Sequence, residues 1–211
     1  MKLQEARRLA DKYAALIQPG CVRLEVVGSV KRGDKDEVHD IEFLVIADDR
    51  RPRPELGDLK RYGNKIPKTM LDKLLFELCE QGLFKQVLGG DKLKKYVIVE
   101  VEGLNPFHLE IYIVRQETWG ILNVIRTGPG VFSHCFVTNK SGICYDKESH
   151  HFYYGLLPDD CQYIRGETRI ERNGLTLDLP EEADALAVIG KGWIEPRDRW
   201  RFAIRKEVSV I

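Results

Sequence analysis

The chain of 211 residues is 43% hydrophobic and 31% charged, an ordinary globular composition with enough length for one good core and a small satellite domain. Its 33 Lys/Arg balance 33 Asp/Glu, so no global field can recruit nucleic acid and only local basic patches could. Five cysteines without a C-x-x-C pair (Cys21, Cys79, Cys135, Cys144, Cys161) argue against a disulfide framework and a zinc knuckle, and are expected to be reduced and packed.

From the start, Leu3, Ala6, Leu9, Ala10, Tyr13, Ala14 and Ile17 form the stripe of an amphipathic helix over 3–17, which Pro19-Gly20 stops. This alternation of charged and apolar residues is unlike a signal peptide, and no run approaches the roughly 18 apolar residues of a membrane span. A cytoplasmic protein with no membrane partner is expected. A strand over 22–27 ends at Gly28-Ser29, a polar loop runs to His39, and a second strand covers 40–47. Residues 48–68 carry seven Lys/Arg and four Asp/Glu among Pro and Gly and read as an exposed excursion outside the core. Thr69, with Asp72 three residues on, is the expected N-cap of a helix ending at Gly82. Strands are expected over 95–101 and 107–114, then a helix over 118–125, a break at Thr127-Gly128-Pro129-Gly130, and a helix over 131–138 closed by Gly142. Residues 143–180 hold short strand-like segments with a hairpin signal at Asn173-Gly174, and a short helix over 181–189 follows Pro180.

Two features carry chemistry. In a strand, alternate residues face the same way, so Asp40 and Glu42 share one face while Ile41, Phe43 and Val45 take the other. Glu110 likewise faces away from Phe107, Leu109, Ile111 and Ile113. If the two strands are neighbours, three carboxylates converge and repel unless a cation lies among them; a hard ion such as magnesium suits oxygen donors and a triphosphate. The second feature precedes them. Gly28 lets a backbone approach a phosphate, Ser29 offers a hydroxyl, and Lys31 and Arg32 offset phosphate charge.

The run GSVKRGDKDEVHDIEFLV resembles the opening motif of the polymerase-beta nucleotidyltransferase superfamily, and within it the X family of DNA polymerases. HLEIYIV is similar to the strand bearing the family's third acid, RTGPGVF to its Thr-Gly turn, and GWIEPRDRW to its closing Tyr-x-x-Pro-x-x-Arg signature. These matches run in the family's order along nearly the whole chain. The resemblance implies an α+β fold: a nucleotidyltransferase palm over 1–115, with helices on one face of a mixed or antiparallel sheet, a helical connector over 116–142, and a small α+β thumb over 143–211. Nothing like the family's N-terminal lyase domain is present, which implies a reduced palm-plus-thumb form acting as a monomer.

By resemblance, Asp40, Glu42 and Glu110 are the catalytic acids and hold two Mg2+ or Mn2+ ions. Gly28, Ser29, Lys31 and Arg32 bind the triphosphate, and Thr127 and Gly128 lie near the incoming sugar. Lys92, Lys94, Lys95, Arg197 and Arg199 are the expected contacts to a primer/template or gapped DNA, whereas Trp193 and Trp200 are expected to pack in the thumb core. The implied function is a small DNA polymerase adding nucleotides from (d)NTPs to a primer 3′-hydroxyl, as in gap filling or DNA repair. Template-independent terminal transfer, transfer to RNA, protein or a small molecule, and a weakened nucleic-acid-binding remnant are the alternatives. The chain departs from the family in having Glu at two of three acidic positions, one extra residue between Gly28 and Asp40, and Ile125-Arg126 in place of an aromatic pair.

Overall fold

A computed structural model describes all residues except 53–61, 63–65, 102–105, 139–142, 155–160, 165–166, 171–174 and 203–211; for 161–164 and 167–170 it describes backbone only. The expected Gly142 stop, the Asn173-Gly174 turn and most of the 48–68 excursion fall outside the described residues. The fold is mixed α+β and divides into two compact units, Met1–Val114 and Arg115–Ile211. Among the described residues no helix is long and apolar enough to cross a membrane.

The first unit is built on one five-stranded sheet. Helix α1 (Leu3–Ile17) buries Ala6, Leu9, Ala10, Tyr13 and Ile17, the stripe that its periodicity dictates. Strand β1 (Cys21–Val27) follows a single 3-10 turn, and the short helix α2 (Gly28–Arg32) replaces the expected loop. Strand β2 (Asp40–Ala47) leads to α3 (Met70–Glu80), which opens with a full capping box: the Thr69 hydroxyl accepts from the Asp72 amide, and the Asp72 carboxylate accepts from the Thr69 amide. Strands β3 (Phe84–Gly89), β4 (Leu93–Ile98) and β5 (His108–Ile113) complete the unit.

The strand order is β1-β2-β5-β4-β3, with β2 and β5 parallel at the centre and every other pair antiparallel. Both outer pairs contain a register shift, at Cys21/Arg23 in β1 and at Gln86/Leu88 in β3. The face bearing Ile41, Phe43, Val45, Leu109 and Ile111 forms one core with the apolar stripes of α1 and α3. Burying a large aliphatic or aromatic side chain contributes roughly 1.5–3 kcal/mol, so this face fixes the register, and a one-residue slip would invert it. Tyr62 is also buried, with its ring edge-on to Phe76 at 4.6 Å, so the 48–68 segment does contribute a core residue, contrary to expectation.

In the second unit, α4 (Trp119–Thr127) is buried over most of its length, and α5 (Gly130–Val137) buries Phe132 and Phe136. Gly120 has no room for a β-carbon against the Glu181 carbonyl, which brings the start of α6 (Glu182–Val188) close to α4. Strands β6 (Ile143–Tyr145), β7 (Phe152–Tyr154) and β10 (Leu175–Leu177) form a small antiparallel sheet, and β8 (Cys161–Ile164) pairs with β9 (Glu167–Ile170). The Phe152 ring packs edge-on against Phe136 and Tyr145. Cys21, Cys79 and Cys135 are free, whereas Cys144 is disulfide-bonded, correcting the expectation that every thiol is reduced.

Candidate functional site

The acids stand on the sheet face opposite the α1/α3 core. The parallel pairing of β2 with β5 places Asp40 beside His108 and Glu42 beside Glu110, so the two strands are neighbours and all three carboxylates share a face. On the far side of β5, Lys95 of β4 is the register partner of Glu110, and on the far side of β2, Val27 is the partner of Glu42. Val27, Glu42, Glu110 and Lys95 thus form one row across four strands. Each acid is half-buried.

Side-chain partners determine what this face can do. Lys95 Nζ donates to Glu110 Oε1 at 2.8 Å, and the Tyr112 hydroxyl donates to Glu110 Oε2 at 2.6 Å, so both carboxylate oxygens of Glu110 are engaged. Burial lifts the Asp40 carboxyl above its usual range, and the negative charge of Glu110 adds to this; electrostatic interaction with Lys95, His39 and His108 opposes the rise without cancelling it. Gly28 has φ +69°, and a β-carbon there would overlap the Glu42 carboxylate. The Gly-Ser turn and the acidic strand are therefore in direct contact.

The donor set fits a hard divalent cation in kind: three carboxylates on two adjacent strands, all on one shared face. As the side chains stand, no three His, Cys, Asp or Glu groups among the described residues are gathered into a metal shell. At Glu110 each carboxylate oxygen instead accepts from a donor, Lys95 or Tyr112.

The remaining expected residues divide into two groups. Lys31 pairs with Glu25 at 2.6 Å, and Arg32 Nε stands 2.9 Å from Asp34, both at the end of α2 beside the Gly28-Ser29 turn. Lys92 and Arg197 are exposed. Lys94 is not: it points to the core side of the sheet and pairs with Asp72 at 2.9 Å. Burial pushes the Asp72 carboxyl up, but the Lys94 hydrogen bond and charge, with those from Thr69 and Lys68, bring it below its usual range. Arg199 is 0% exposed; its Nη2 donates to Glu182 Oε1 at 2.7 Å, and Nε and Nη2 reach the Ile194 carbonyl at 3.3 Å. Lys94 and Arg199 are thus structural cations, a correction to their expected place on a nucleic-acid surface.

Thr127 is fully buried, and its hydroxyl donates to Asn123 Oδ1 at 3.1 Å within the second unit. Gly128 ends α4 and is packed against Phe132 and Ser133. Trp193 and Trp200 are 53% and 46% exposed, contrary to the expected packing in a core. Sequence reasoning missed His108 and Tyr112; their signal was parity, since both stand two residues from Glu110 on one strand. No protein-family model matches the chain, and a search of curated proteins likewise finds no match.

Proposed function

We propose that this chain is a metal-dependent nucleotidyltransferase, a palm followed by a thumb-like unit, acting as a small DNA polymerase that adds nucleotides from triphosphates to a primer 3′-hydroxyl. The observation that carries the reading is the meeting of Asp40, Glu42 and Glu110 on adjacent parallel strands, with Glu42 lying against the Gly28 turn. The motif order along the chain supports the choice of reaction.

In this reading Asp40, Glu42 and Glu110 hold Mg2+ or Mn2+, which when bound supplies charge neutralisation at the transferred phosphoryl group and acidifies the attacking hydroxyl. Ser29 and Arg32 bind the outer phosphates of the triphosphate, with Lys31 adding charge; Glu25 and Asp34 orient these two cations from behind. Gly28 supports the site by absence: its missing β-carbon leaves the space that the Glu42 carboxylate takes. Tyr112 restrains Glu110 from its own strand.

The test is a primer-extension assay with Mg2+ or Mn2+ and each labelled triphosphate, with and without template. Templated incorporation by wild type and its loss in Asp40→Asn support the reading; inertness of wild type with every acceptor defeats it. One observation favours a second reading, transfer to an acceptor other than duplex DNA: of five expected nucleic-acid contacts, Lys94 and Arg199 are buried in ion pairs. Incorporation that ignores the templating base, or labelling of RNA or protein alone, would select it.

A further inference from the structure

Both oxygens of Glu110 accept from a donor, and one of those donors is a cation. Lys95 sits across from it in the β4–β5 register, on the same row as Glu42, and Asp40 feels the charge of both members of the pair. Lys95 and Glu110 are 31% and 15% exposed at their side chains, so their attraction is less screened than that of a surface pair. A lysine ammonium on a flexible four-carbon stem is a point charge that can leave without disturbing the strand beneath it.

We propose that Lys95 is a resident counter-ion of the carboxylate site: it engages Glu110 while the site is empty and must release it before Glu110 can serve a divalent cation. This rests on the metal-dependent reading above and adds a restraint to it. One positive charge already compensates Glu110, so an incoming ion gains less from that carboxylate than from a bare one, and ion and ammonium repel when both are near it. In the metal-free form Glu110 is thereby held charge-compensated, and this third carboxylate becomes available only when the gain from ion and triphosphate together exceeds the loss of the pair.

Mn2+ titration of the full chain, reading free ion by electron paramagnetic resonance, tests this without any turnover. Lys95→Met, which keeps the length and apolar character of the stem, should tighten Mn2+ binding by about tenfold at low salt, and Lys95→Arg should bind as wild type does. In a Glu110→Gln background the same Lys95→Met change should gain only about twofold, the part due to removing a nearby charge rather than freeing a ligand. No gain in Lys95→Met, or equal gains in both backgrounds, overturns the counter-ion role. Asp40→Asn separates this from the parent reading: lost Mn2+ binding supports the carboxylate site, whereas undiminished binding defeats site and proposal together.

Discussion

Asp40 is where the cost of the site is most concentrated. Its carboxyl is lifted by burial first and by Glu110 second, so in the fold its charged form is disfavoured relative to the unfolded chain. Such a group lowers stability above its folded pKa, and the deficit vanishes once pH falls below the ordinary carboxylate range, where both states are protonated. With chelator present, Asp40→Asn should therefore raise the melting temperature at pH 7. The gain should disappear in strongly acidic buffer, and a melting series across pH checks both halves. Gly28→Ala acts differently. It places a β-carbon where the Glu42 carboxylate lies and a side chain at φ +69°; under the proposed function, nucleotide transfer should then fall by about 10²-fold, with at most about 1–2 kcal/mol of stability lost, and extension assays and thermal unfolding measure the two. At this scale Glu42 and Glu110 were legible because each interrupts an apolar strand, and Asp40 because it stands two residues before Glu42 at the start of the same strand. The fate of Arg199 was not, because its partner Glu182 is 17 residues away and nothing local marks the pair.

Among the elements, the tail of the second unit depends on that pair. Glu182 and Arg199 are both buried, so removing either partner leaves a charge without compensation in a poorly solvated place. Glu182→Ala should destabilise by about 3–5 kcal/mol, whereas Arg199→Met together with Glu182→Leu should cost far less; denaturant unfolding of the two variants compares them. The elements legible in sequence were those with a period or a cap: α1 through its stripe, α3 through Thr69 and Asp72, β2 through its alternation. Strand β3 was missed because only Phe84 of its six residues is buried, which leaves no alternation to read. Helix α2 was missed because five residues headed by glycine carry no helical periodicity, and it forms at the end of β1 with Val30 packed into the core.

For the molecule as a whole, the balance of 33 positive and 33 negative side chains means that any grip on nucleic acid must come from a few local cations. Lys92 and Arg197 are exposed, whereas Lys94 and Arg199 are committed inside their units. If the chain binds DNA, Lys92→Ala and Arg197→Ala should each reduce the slope of log affinity against log salt by about 0.9, the value for one released counterion per phosphate contact. Arg199→Met should leave the slope unchanged, and fluorescence anisotropy across a salt series distinguishes the cases.

The irregularities at Cys21/Arg23 and Gln86/Leu88 fall on the two strands that border the five-stranded sheet. Each sets a kink and added twist into a border whose amide and carbonyl groups would otherwise offer a straight template to another extended chain. Val22, Val87 and Leu88 are exposed at these places, so apolar side chains that could seed stacking into fibrils lie where the backbone is least suited to it. Straightening either border by deleting one residue would expose the protein to self-association through backbone pairing.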